Sequence, residues 1–154
     1  MIAVLNKLDS VMESLLKPLV PVLLLIGRLW VAWIFFRSGQ TKFASWDSTL
    51  FLFEYEYQVP FLPWEMAAYL ATAGELILPV LLAVGFLSRP TALALFVLNA
   101  VAVISYPALW PKGFFDHQLW GMMLLLIMIF GPGLAAVDNW VKSRAVGSAA
   151  RQGE

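Results

Sequence analysis

The chain has 154 residues, of which 61% are hydrophobic and 13% charged, with a formal charge of zero; so apolar a chain of single-domain length is not an ordinary water-soluble domain. Balanced charge argues against a basic nucleic-acid-binding surface and against an acidic tract for a cationic partner. The absence of cysteine excludes a disulfide framework, a thiolate metal site, covalently attached haem and thiol redox chemistry by the chain itself, so any redox role must use a bound cofactor or a partner.

The first residues carry no basic stretch ahead of an apolar core and no small-residue cleavage site, which predicts a retained N-terminus. Ile2, Leu5, Leu8, Met12, Leu15 and Leu16 recur at helical spacing before Pro18, while Lys7, Asp9, Ser10, Glu13 and Lys17 fill the other face. That pattern predicts a helix lying in the membrane interface, or one packing on a neighbouring subunit.

Four apolar runs follow: Leu19–Ser38, Trp64–Phe86, Pro90–Pro107 and His117–Ala136. Each is close to the ~20 residues needed to cross a ~30 Å hydrocarbon core, and helices satisfy their backbone groups within the segment. The expected fold is all-α: one transmembrane domain over residues 1–154, a four-helix bundle preceded by the interfacial helix. Lys7, Lys17, Arg89, Lys142, Arg144 and Arg151 fall on one side, against Arg37, Lys42 and Lys112 on the other. The richer side is expected to be cytoplasmic, which places both termini there in a bacterial inner membrane.

Between the first two runs, Ser48 to Tyr57 is too apolar for a free linker. Phe51, Phe53, Tyr55, Tyr57 and Val59 alternate as a strand would, but a lone strand leaves unpaired edge groups near lipid. A short amphipathic helix in this first outer loop is preferred, with Asp47 as N-cap and Pro60 and Pro63 ending the segment. Gly131-Pro132-Gly133 should kink or end the fourth helix, Asp138 should cap a short terminal segment, and residues 144–154 read as a flexible tail.

Ionisable groups inside a span are costly and are functional candidates by default. Counting ~1.5 Å per helical residue from the cytoplasmic ends places Arg28 ~14 Å deep, Glu75 ~17 Å and Asn99 ~15 Å. An Arg28–Glu75 pair with the Asn99 amide beside it is therefore expected near the midplane. Such a pair either fixes the register of two helices or also meets a ligand or a proton, and the residues leave both readings open. Nearer the outer face, Arg37, Gln40 and Lys42, Ser105 and Tyr106, and Asp116 and His117 form the expected mouth of a cavity. His117, the only histidine, can exchange protons near neutral pH or donate to a quinone carbonyl; equally, it can sit at the headgroup level. It cannot supply two axial haem ligands, and no spacing supports a metal site. Trp30, Trp33, Phe35, Phe36 and Trp120 could sandwich a flat ring or simply pack.

Gly27-Arg28, Gly39 with Lys42, Glu75, Gly85 with Arg89, and Gly131-Pro132-Gly133 followed by Asp138 form, in this order, a constellation that resembles the DoxX family of membrane proteins. The resemblance covers Gly27 to Asp138. Arg37 stands where many relatives carry a different residue, often histidine, and Ala136 replaces a frequent serine. The stretch Trp46 to Pro60 resembles a subgroup encoded beside maturation enzymes for metal-binding peptides. The resemblance implies four membrane helices and, for several relatives, association with quinone-linked oxidoreductase systems.

Two functions are carried forward. The first is an accessory or subunit of a quinone-linked redox system, with a quinone-like cofactor within the bundle. Glu75 and His117 would be its proton-handling groups, and Arg28, Arg37, Asn99, Tyr106 and Trp120 its binding groups. The second is a non-enzymatic membrane partner of a metal-binding peptide maturation or export system. Membrane lipid and either a protein partner or a second copy of the chain are the expected contacts; whether the chain is itself an oxidoreductase is left open.

Overall fold

The computed structural model describes residues 2–111 and 113–152, and of Ala3 and residues 145–152 the backbone alone. Lys112 and the side chain of Arg151, counted above for orientation, lie outside the described residues, as does the end of the expected tail. The described residues form seven α-helices: α1 (Ile2–Leu16), α2 (Val20–Ala44), α3 (Trp46–Tyr55), α4 (Trp64–Val84), α5 (Ser88–Ser105), α6 (Phe114–Phe130) and α7 (Val137–Gln152).

A single 3₁₀ turn, Lys17–Leu19, joins α1 to α2, so that Val4–Ala44 is one helical rod of 41 residues with an apolar stretch inside it. That rod, α4 and α5 are each long and apolar enough to cross a membrane, and α6 is a shorter apolar helix. Helix α2 continues to Ala44, past the end expected at Ser38, because nothing between Gly39 and Ala44 breaks it. Helix α6 stops at Phe130 instead of running on to Ala136: Gly131 at φ 95° leaves the helical region and Pro132 has no N–H to continue the ladder.

The bundle is inside out by the standards of a soluble domain. Leu23, Ile26 and Trp33 on α2, Ile77 and Val80 on α4, Val97 and Ile104 on α5, and Met122 and Ile129 on α6 are exposed. Arg28, Thr72, Glu75 and Asn99 are buried. Water would reject that arrangement; acyl chains favour it. Val31, Ala32, Phe35, Leu82, Leu95, Leu124 and Ile127 form the apolar core between α2, α4, α5 and α6.

Helix α4 runs antiparallel to α2 at unusually close range. A Cβ on Gly39 would stand 2.9 Å from the Glu75 carbonyl carbon, so only glycine permits this approach. Pro79, buried within α4, has no N–H for the Glu75 carbonyl one turn earlier, which leaves that oxygen without its helical partner on the face that Gly39 meets. Gly85, at φ 72°, ends α4: its N–H donates to Leu82 O and Phe86 N–H to Leu81 O, the Schellman pattern that left-handed glycine allows.

The expected helix in the first loop is α3. It turns Thr49 and Phe53 inward against Ala67 and Ala68 of α4, and Thr49 Oγ1 donates to Lys42 O at 2.9 Å, which fixes α3 to the end of α2.

Candidate functional site

The expected Arg28–Glu75 pair does not form. Arg28 lies level with Gly85, where its Nη1 would be 2.7 Å from an added Cβ, whereas Glu75 lies level with Gly39. Those levels are eleven residues apart along α2, about 16 Å at the helical rise. Depths counted from the ends of separate spans assume flush ends. Here α2 and α4 are offset, and the error follows from that offset.

Arg28 instead joins the loop after α6. Its Nη1 donates to Pro132 O at 2.9 Å and Nη2 to Ala135 O at 3.1 Å. Leu134 N–H donates to Pro21 O and Asp138 N–H to Gly85 O. Asp138, expected to cap its own helix, instead lies within the first turn of α7, and its carboxylate crosses the chain: Oδ1 accepts from Leu87 N–H at 2.9 Å and Oδ2 from Ser88 N–H at 2.8 Å, capping α5. Leu87 sits in the left-handed region at φ 47°, a conformation that the carboxylate stabilises. Burial opposes ionisation of Asp138, but the Ser88 and Leu87 N–H groups and the charge of Lys142 outweigh it and hold the carboxyl below its ordinary range.

Glu75 is paired with Lys42. Nζ lies 2.7 Å from Oε2 and donates also to Ser38 Oγ at 2.9 Å, with the two charged side chains 18% and 7% exposed. This pair forms the polar patch of a cavity of about 340 Å³ between α4 and α5. The α4 wall is Ala67, Leu70, Ala71 and Glu75; the α5 wall runs from Ala94 to Ser105, with Val97 and Leu98 prominent. Alanines on both facing helices leave the space unfilled. Leu70 and Val97 are also exposed, 55% and 52%, on the outer faces of their helices, so the cavity reaches the lipid-facing side between them.

The end towards α3 is aromatic. Phe53 stacks on Tyr57 with centroids 4.4 Å apart, and Tyr57 on Tyr106 at 4.6 Å, nearly parallel at 6° and 12°. Gln58 N–H donates to Ser105 O at 2.8 Å and holds this plate in place. Burial, followed by the charges of Glu75, Tyr106 and Glu56, pushes the Tyr57 phenol up to about 12. Tyr106 is raised chiefly by the neighbouring Glu56 carboxylate, and by burial.

His117 lines the same cavity. Its Nδ1 lies 2.7 Å from Asn99 Oδ1, while Asn99 Nδ2 donates to His117 O at 3.0 Å and Trp120 packs against the imidazole with centroids 4.6 Å apart.

Of the residues expected to form the site, Glu75, His117 and Tyr106 therefore line one cavity, and Asn99 and Trp120 hold His117 from behind. Arg28 and Arg37 belong elsewhere. Arg37 is exposed on α2 over the Trp33 ring, 5.7 Å from its centroid, because its position points away from α4. Trp30 and Trp33 are likewise exposed, and Phe35 packs edge-on to Trp120 in the core, so these rings do not sandwich a ligand. Tyr57 and Ser38 join the cavity wall in addition to the expected residues. The aromatic run of the first loop was the available signal for Tyr57, but its inward turn depends on contacts with α4. Among the described residues no group of three potential metal ligands gathers.

An apolar exterior around buried charges, with a ligand-sized cavity among the helices, defines a helical transmembrane protein. The chain belongs to the DoxX family, whose model matches residues 23–108. A Haemophilus influenzae protein described as uncharacterized is 32% identical over 130 residues, which cover 79% of this chain and 84% of that protein. No solved structure matches.

Proposed function

We propose that this protein is an inner-membrane accessory of a quinone-linked redox system that holds a quinone-like ring in the cavity between α4 and α5. The observation that carries this reading is the composition of that cavity. About 340 Å³ of mostly apolar space suits a small ring system, and its few polar groups, Lys42–Glu75, His117 and the tyrosine plate, are gathered on its walls. A flat ring can extend the Phe53–Tyr57–Tyr106 stack, while its oxygens meet Lys42 or His117. The breach marked by Leu70 and Val97 would admit the ring from the bilayer and leave an isoprenoid tail in lipid. The bound group would supply the electron-carrying chemistry; the chain's residues would bind it, exclude water and manage its protons.

In this reading α2, α4, α5 and α6 cross the membrane and both termini face the cytoplasm, as the excess of Lys and Arg there favours. The exposed apolar face of α1, with Leu5, Leu8, Met12 and Leu15, which continues α2, is left for lipid at the cytoplasmic end or for a neighbouring copy of the chain.

The test is chemical extraction of protein purified from its native membrane in a mild detergent. A near-stoichiometric isoprenoid quinone is expected, and Ala94→Phe, which fills the cavity, should displace it. Quinone no higher than in an unrelated membrane protein prepared in parallel, or equal in the filled variant, would overturn the reading.

A further inference from the structure

The hydrogen bonds around His117 determine which of its ring nitrogens carries the proton. The His117 carbonyl can only accept, so the Asn99 group 3.0 Å from it must be the NH₂ end, Nδ2. Asn99 Oδ1 then faces His117 Nδ1 at 2.7 Å, and because that oxygen can only accept, Nδ1 must carry the hydrogen. In the neutral imidazole Nε2 is consequently an unprotonated acceptor. It makes no hydrogen bond among the described residues, and His117 lines the cavity. Trp120, tilted against the imidazole with centroids 4.6 Å apart, restricts its rotation.

The cavity's donors are Lys42, two of whose three protons are committed to Glu75 Oε2 and Ser38 Oγ, and the hydroxyls of Tyr57, Tyr106 and Ser105. A ring carbonyl can accept from these but has nothing to give His117. A ring hydroxyl can accept from Lys42 and also donate to Nε2.

Resting on the proposed quinone-like ligand, we propose that the site selects the reduced, hydroxyl-bearing form: it is a quinol site in its neutral state, with His117 Nε2 as the hydrogen-bond acceptor and Asn99 as the positioning residue that sets the tautomer. The oxidised form leaves Nε2 unpaired in an apolar surrounding, and one such missing hydrogen bond corresponds to about a tenfold difference in affinity.

The experiment compares a short-chain benzoquinol, kept anaerobic, with its benzoquinone by calorimetric titration of the full chain in phosphatidylcholine nanodiscs. It is run at pH 8, above the ordinary imidazole range of ~6.5. The quinol is expected to bind about tenfold more tightly, and His117→Phe should bring the two forms together. Asn99→Asp sets a carboxylate against Nδ1 and favours the imidazolium, whose Nε2–H donates; the preference should then vanish or invert, which a merely structural asparagine would not cause. Equal binding of the two forms by the native chain, or a preference that survives His117→Phe, overturns the tautomer assignment as the basis of selection while leaving a quinone-like site in place. Binding of neither form overturns the proposed function itself. Should Asn99→Asp not fold, His117→Phe alone decides.

Discussion

Lys42 Nζ lies 2.7 Å from Glu75 Oε2, one turn beyond the point where Gly39 lets α2 and α4 touch. The close approach and the ion pair are one construction. Glycine brings the backbones together, and the lysine folds back along its own helix to Ser38 and across to the carboxylate.

Removing one partner strands the other in an apolar wall. Glu75→Leu or Lys42→Met alone should lower stability by about 3 kcal/mol, whereas the two combined should recover most of that loss, since no charge is then left without compensation. Unfolding in detergent, arranged as a double-mutant cycle, measures both. A double variant as unstable as the sum of its singles would show that the pair is not coupled.

Arg28 holds two carbonyls with one planar fork, a geometry that an ammonium cannot reproduce. Arg28→Lys is expected to lose about 2 kcal/mol and to expose the 131–136 loop to proteolysis. Native resistance at that loop would mean that the arginine does not hold it.

Asp138→Asn probes the cross-chain cap of α5. Because the folded carboxyl is held below its ordinary value, its contribution is complete above pH ~4 and is lost as the pH falls through the folded-state value. Native and variant chains should therefore differ by about 1 kcal/mol at pH 7, a modest figure for a partly exposed carboxylate, and converge in acid. Thermal unfolding at pH 7 and pH 3 follows it; a gap that widens in acid contradicts the cap.

Tyr57 should titrate late. Its phenol is favoured in the neutral form up to about 12, so the stabilisation it gives is present below pH ~10 and disappears as the pH rises towards 12. Phenolate absorbance, with Tyr57→Phe as the difference, tracks this group. Ionisation at the ordinary value would mean that the plate is open to water.

Much of the fold was legible because membrane helices announce themselves by composition: α4 and α5 lie close to the predicted spans, and Gly131-Pro132-Gly133 ends α6. The partners of the buried charges were not. The choice between Glu75 and the 132–135 carbonyls for Arg28 depends on how far α2 slides against α4, and local sequence carries no ruler for that offset. Lys42 stands past a span that ends at Ser38, and only the observed helix, six residues longer to Ala44, carries it into the bundle. Asp138 caps a helix that begins fifty residues earlier, at Ser88, a pairing that only tertiary structure reveals.

The loop that receives Arg28 is made long after it: Pro132 follows by 104 residues and Ala135 by 107. During synthesis the guanidinium on α2 must wait until α6 and the loop after it have been made. Closure of the bundle is thus deferred to the end of translation. A ribosome halted before Pro132 would present the insertion machinery with a bundle that has an unanswered charge, a ready mark of an unfinished chain.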